Sequence, residues 1–281
     1  MPQQPTQVTG VPFRWDLVRP DQLGALLDDV PAPELWFLDE LVTASGKVLA
    51  RSGGGELVFV GRSLDSMFDL LSGALAEGGP PPGLRRLPFG GLSTWTREPG
   101  QARQVLAGAG LSPFELARQR RPVAFADVVS SGGSFRDLFT LVRDWAADER
   151  APWGVVRRKL RFIGVTWRRR ASPATSRWQQ EAAWPRLLPG DAVVNVSLEW
   201  AVWTYFADGQ AKLSWSFRPG SAPGVSAPRH DEAARRALAE AVALVAYGRS
   251  REGRRAIARA TAGEPAWAHP WLRSLVTHLN R

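Results

Sequence analysis

The chain of 281 residues contains no cysteine, which excludes disulfides, thiolate catalysis and cysteine-ligated zinc. Histidine occurs three times, at His230, His269 and His278, which argues against an imidazole-rich metal centre. Lysine is equally scarce: Lys47, Lys159 and Lys212 stand against thirty-three arginines. No apolar run approaches the roughly 18 residues of a membrane-spanning helix. The opening MPQQPTQVTGVPFRW lacks the charged-then-apolar pattern of a secretory leader. A soluble, cytoplasmic protein with no membrane partner is therefore expected. Internal repeats and low-complexity tracts are also missing.

What is present is enough to fold. With 44% hydrophobic and 10% aromatic residues, the chain can bury a sizeable core, and its length suits one large domain or two small ones. The 27 glycines and 22 prolines predict long loops. The formal net charge is +9, and arginine's planar fork of donors suits phosphate. GC-rich coding is the plainer account of the arginine bias. The clusters Arg118-Gln119-Arg120-Arg121 and Arg168-Arg169-Arg170 read as solvated surface. Neither interleaves with aromatics as a nucleic-acid groove requires, so a nucleic-acid partner is not supported.

The pattern along the chain is α/β. An irregular arm (1–19) leads to a short helical stretch from Pro20 to Asp29 and a helix from Pro33, with Leu35, Leu38, Leu41 and Val42 on one face, stopped by Gly53-Gly54-Gly55. ELVFVG (56–61) reads as a buried parallel strand and 63–76 as a helix carrying Met67, Leu70, Leu71 and Ala74. EGGPPPG (77–83) closes that unit, and a helix is expected over 100–120. A clearer unit follows: strand PVAFADVV (122–129), turn SSGGS (130–134), and an amphipathic helix (135–149) with Leu138, Leu141, Val142 and Trp145 inward. KLRFIGVTW (159–167) is a third strand. Strands alternating with helices argue for an open, mostly parallel sheet.

From 190 onward, alternation of Val194, Val196, Leu198, Trp200, Val202 and Phe206, answered by Leu213, Trp215 and Phe217 across Ala207-Asp208-Gly209-Gln210, predicts a β-hairpin. It places Trp200 and Trp215 in the core, and Trp203 and Tyr205 on the other face as a cover or a stacking platform. A helix over 229–248 and two shorter ones broken at Pro265 and Pro270 complete the chain. The expected organisation is an N-terminal arm with helices (1–52), an α/β core (53–228) carrying the aromatic hairpin (190–217), and a helical C-terminal extension (229–281).

The stretch VAFADVVSSGGSF (123–135) carries the most chemistry. A buried strand runs to Asp127, then a small hydroxylated loop opens a helix. Backbone N–H groups at a helix start point at an anion, and Ser130, Ser131 and Ser134 add hydroxyls. Gly132 and Gly133 let the backbone approach a ligand. An ordinary strand-to-helix turn in which a serine caps the helix is the plainer alternative.

This stretch resembles the signature of type I phosphoribosyltransferases: a strand, two acidic residues, two apolar residues and a Thr/Ser-rich Gly-Gly loop. Here the acidic pair reads Ala126-Asp127, the apolar pair Val128-Val129, and the loop Ser130-Ser131-Gly132-Gly133-Ser134. The resemblance implies an open, mostly parallel phosphoribosyltransferase-like sheet flanked by helices. It also implies binding of phosphoribosyl diphosphate carried with Mg2+, and transfer of ribose 5-phosphate to a nitrogenous, nucleobase-like acceptor with release of pyrophosphate. By the same resemblance, residues 128–134 take the 5-phosphate, Asp127 takes the ribose as the catalytic carboxylate, and Arg62 and Ser63 in the loop after the first strand take pyrophosphate. It covers about 50–170. Ala126 departs from the acidic pair, which favours a second reading, a non-catalytic nucleotide or phosphosugar sensor of the same fold. Arg85, Arg86 and Arg97 lie where some members carry a basic catalytic loop. The oligomeric state is open, a homodimer being compatible.

A third reading uses Gly61-Arg62-Ser63-Leu64-Asp65 as an approximate nucleophile elbow of an α/β hydrolase. Ser63 would attack, Asp127 or Asp191 would be the acid, and His230 or His269 the base. Asp65 replaces that motif's second glycine, and too few strands precede Ser63.

Overall fold

Residues Leu57–Val60 are buried at every position, the burial that a parallel strand covered on both faces requires. They form strand β1 at the heart of a five-stranded sheet. The computed structural model describes residues 12–76, 82–89, 98–171, 177–216 and 227–281. The other strands are β2 (Leu84–Leu87), β3 (Val123–Val128), β4 (Leu160–Trp167) and β5 (Val193–Leu198), all parallel, in the order β2-β1-β3-β4-β5. Helices cover both faces, so the open α/β architecture read from the sequence is present.

On one face lie α1 (Leu38–Arg51) and α2 (Asp65–Ala74). Leu41, Val48, Met67 and Leu70 pack there on Leu57, Phe59, Ala124, Ala126 and Ile163. The other face holds α3 (Pro99–Gly108), α4 (Pro113–Arg118), α5 (Gly133–Asp148) and α6 (Trp153–Lys159). Phe135, Leu138 and Val142 meet Val123, Phe125 and Phe162 there. The even and odd residues of β3 thus serve different faces, as a two-residue period demands. A short α7 (Arg168–Ala171) follows β4 and α8 (Trp200–Thr204) follows β5; the C-terminal α9 (Glu232–Arg249), α10 (Arg251–Ala260) and α11 (Pro270–Leu279) pack against α2, α1 and one another. No helix among the described residues is long and apolar enough to cross a membrane.

Four local expectations are corrected. The hairpin over 190–217 is absent: β5 stops at Leu198, and the chain turns into α8 and a π-helical turn, Tyr205–Gly209. Burial alternates through Val196 and Leu198 but then falls on Val202, Trp203 and Phe206, a helical spacing. The Asp208-Gly209 pair ends that turn, closed by the Gln210 amide on the Tyr205 carbonyl at 2.7 Å, and Phe217 lies outside the described residues. Trp200 and Trp215, expected in the core, are 57% and 48% exposed, whereas Trp203 is buried. Trp203 stacks on Trp200 and meets Trp167 edge-on, a covering role.

The helix expected over 100–120 is two helices. Gly110 takes a φ of +66°, and Ser112 with Glu115 forms a capping box that restarts the chain at Pro113. At the N-terminal end, the stretch from Pro20 is one 3-10 turn, Pro20–Leu23, and the helix expected from Pro33 begins at Leu38. Strand β2, Leu-Arg-Arg-Leu, has no apolar run by which the sequence alone would mark it as a strand. It survives as an edge strand because both arginines find carboxylates, Arg85 on Glu56 and Arg86 on Asp65.

Candidate functional site

Parallel pairing of Phe59 with Ala126 brings the carboxyl ends of β1 and β3 side by side. The chain leaves β1 toward β2 on one side and returns to β3 on the other, so the crevice between their loops is a topological switch point, where open α/β sheets bind ligands. Arg62 and Ser63 follow β1; Asp127 and residues 128–134 end and follow β3. The structure therefore brings the two sequence-predicted loops to one edge.

Gly61 leaves β1 at a φ of +72°, with its amide on the Leu87 carbonyl at 2.9 Å. Arg62 then donates to the Ser214 carbonyl at 2.7 Å, under a segment (210–216) that passes over the loop. On the other side, the Val129 amide on the Val165 carbonyl at 2.8 Å extends the ladder one residue beyond β3. Ser130 and Ser131 are exposed. Gly132 has a φ of +77° and is the N-cap of α5 with no side-chain cap, so the amides of the first turn are not satisfied by a cap. Gly133 does not share the positive φ. A Cβ on Gly132 would stand 2.3 Å from the ring of buried Trp178. Gly132→Ala is accordingly expected to destabilise the fold by at least the roughly 1–3 kcal/mol of a strained residue, read by chemical denaturation. An unchanged midpoint would show that the loop can re-form away from Trp178.

Asp127 is buried on the α5 side of the sheet. Burial pushes its carboxyl up to about 8, against the backbone amide of Val128, the Ser134 hydroxyl and the charge of Lys212, which pull it down. At neutral pH it is mostly protonated. Ala126 points to the opposite face, fully buried among the apolar residues under α1 and α2. A carboxylate at that position would be buried without a polar partner.

Four further segments converge here that sequence reading did not connect. From the N-terminal arm, Arg14 reaches Asp65 at 2.9 Å and also bonds Asp69, while Arg86 bonds Asp65 at 2.8 Å. Asp65 is held below the usual carboxylate range: burial acts against its charge but Arg14, Arg86 and Lys212 prevail. Asp69, with burial dominant, is pushed up. Lys212 donates to the Phe206 carbonyl at 3.0 Å and to Gln210 Oε1 at 2.9 Å. Burial lowers its pKa to about 8, opposed by Asp65, Glu240 and Asp127 and aided by Arg62. Its ammonium thus lies within electrostatic reach of residues from both loops. Glu240 of α9 accepts from Tyr205 at 2.6 Å and from Ser66 and Gln210. Two signals for this cluster were in the sequence: Asp65 and Asp69, four apart on one helix face, repel unless a cation sits between them, and Lys212 is one of only three lysines.

The elbow geometry does not assemble. Asp191 and His269 line a cleft at the amino ends of the strands, away from Ser63. His230 is exposed, and Ser63 lacks the positive φ of a strained elbow, since Arg150 is the one non-glycine residue with positive φ among those described. Of the remaining arginines, Arg85 is held by Glu56 and the Ala109 carbonyl, Arg168 pairs at the surface with Glu199, and Arg97 lies outside the described residues. No group of three or more histidine or acidic side chains that could hold a metal gathers among the described residues. Comparison of the chain with protein-family models, curated proteins and solved structures finds no match in any of the three.

Proposed function

We propose that the crevice between the loops after β1 and β3 binds a phosphorylated ribose, with phosphoribosyl diphosphate as the ligand. The observation that carries this reading is the juxtaposition at one switch point of a Gly-Gly helix start, a buried aspartate and a basic loop. The 5-phosphate would lie on the first amides of α5 and the hydroxyls of Ser130 and Ser131. Asp127, as a neutral acid, would exchange a hydrogen bond with a ribose hydroxyl. Arg62, Ser63 and Lys212 would face the diphosphate. Magnesium belongs to this reading as part of the substrate, since Asp127 is mostly protonated at neutral pH and Asp65 is already paired with Arg14 and Arg86.

Transfer would break the bond from the ribose anomeric carbon to pyrophosphate and form one to a nitrogen of the acceptor. That step develops positive charge on the sugar and gains from a fixed negative charge nearby. Ala126 in the core and a protonated Asp127 supply none. These two observations favour the second reading, a phosphosugar or nucleotide sensor that binds without turnover.

Calorimetric titration of phosphoribosyl diphosphate with magnesium is expected to give saturable binding to the wild type and at least about tenfold weaker binding to Lys212→Met, which loses a charge-assisted contact. Pyrophosphate release in the presence of nucleobases separates the two readings, since the sensor binds without it. No heat from the wild type would remove both.

A further inference from the structure

A second cleft, of about 730 Å³, opens at the amino ends of the strands, opposite the switch-point loops. That is within the usual size range of small-molecule sites. Two guanidinium groups meet there at the Gly53-Gly54 turn, where both glycines have positive φ, +75° and +72°. A Cβ on Gly53 would stand 3.5 Å from Arg161 Nη1, and one on Gly54 would stand 2.3 Å from Arg121 Nη1 and 2.6 Å from the Trp271 ring. The turn is therefore built without side chains so that two arginines and an indole can close on it.

The three arginines of the cleft differ in what holds them. Arg51 is fixed by two bonds to Glu264, at 2.7 and 2.8 Å, and by the Asn195 carbonyl. Arg161 donates to the Arg51 carbonyl at 3.1 Å and to Asp191 at 2.6 Å. The Asp191 side chain is 75% exposed, so that pair is weak and yields to a competing anion. Arg121 donates to the Gly54 carbonyl at 3.0 Å and has no carboxylate partner among the described residues. Two forks thus keep donors for an anion, beside an indole and the apolar surfaces of Pro122 and Val194.

We infer that this cleft is a binding site for a small anion carrying a flat ring, of the nucleoside monophosphate class. The phosphate is gripped by Arg121 and Arg161, and the ring packs against Trp271. The site is independent of the phosphosugar reading, because the two crevices lie at opposite ends of the sheet.

The test is calorimetric titration of AMP, GMP, CMP and UMP into the wild-type chain, with adenosine and inorganic phosphate as separate probes. At least one monophosphate binds, and adenosine and phosphate alone each bind at least about tenfold more weakly, because each makes half of the contacts. Arg121→Ala, at an exposed position that leaves the fold intact, and Trp271→Leu each weaken binding about tenfold. Asp127→Asn leaves it unchanged. The inference is overturned if none of the four binds up to about 1 mM, or if binding is equal in wild type, Arg121→Ala and Trp271→Leu. Loss of binding in Asp127→Asn alone also overturns it, by moving the ligand to the switch-point crevice.

Discussion

Asp127→Asn is expected to make the protein more stable at pH 8 and to leave it almost unchanged near pH 4. The native carboxyl is raised from 3.8 to about 8 by burial. Between those values the folded state holds a proton that the unfolded chain releases, so stability falls as pH rises through that window, and the loss is complete above it. Each unit of such a shift corresponds to about 1.4 kcal/mol, which makes the gain from asparagine several kcal/mol at pH 8. Asparagine keeps an acceptor for Val128 and Ser134 and carries no charge at any pH.

Lys212 works in the adjoining window with the opposite slope. Its pKa is lowered from 10.5 to about 8, again by burial first. Between 8 and 10.5 the unfolded chain holds the extra proton, so stability recovers as pH rises. The two groups together place a minimum of stability near pH 8. Urea denaturation of wild type, Asp127→Asn and Lys212→Met between pH 4 and 10 measures it. Equal stability differences between wild type and Asp127→Asn at pH 4 and pH 8 would mean that Asp127 is ionised throughout.

Arg14→Ala is expected to produce the largest loss of stability of any single substitution considered, about 3–5 kcal/mol. The side chains of Arg14, Asp65 and Asp69 are 8%, 9% and 5% exposed. Removing the cation leaves two carboxylates buried together, a penalty far above that of an exposed pair. For a chain of this size the melting temperature falls by roughly 10 °C. Arg86 still holds Asp65, so Asp69 carries most of the damage. The double variant Arg14→Met, Asp69→Asn recovers much of it, because Asp65 keeps Arg86 as its partner and the carboxylate that lost its cation is gone. A cost below about 1 kcal/mol for Arg14→Ala would show that the arm does not hold α2. Asp65 adds an acid limb of its own: its folded pKa is depressed, so the stability it contributes is present above 3.8 and is lost as pH falls below that value.

The elements legible in the sequence share one property. Strands β1, β3 and β4 are short apolar runs between turn signals, and α2, α5 and α9 repeat apolar residues at helical spacing. Local chain chemistry dictates both patterns. The elements that were misread depend on partners far along the chain. Strand β2 exists because Glu56 and Asp65 neutralise its arginines, and no window of Leu-Arg-Arg-Leu contains those carboxylates. The false hairpin came from alternation continued past Leu198. Trp200 fits the two-residue period, but the stacking of Trp203 on Trp200 and against Trp167 supports a helix.

The site divides in the same way. Its loops were visible because glycine beside serine after an apolar strand has a local meaning, and Gly132 does take the left-handed backbone that such a turn uses. Whether Asp127 carries a charge was not visible, since that depends on how much protein covers it. Arg14, Lys212 and Glu240 come from the N-terminal arm, the segment after β5 and α9, and they meet α2 only once the chain has closed on itself. By itself the sequence determined that this is an α/β chain with a glycine-serine loop at a helix start, because periodicity and backbone freedom are local. The tertiary structure alone decided which charges are buried and paired, and which arginines meet in the cleft at the amino ends of the strands, because burial and ion pairing arise between residues that are distant in sequence.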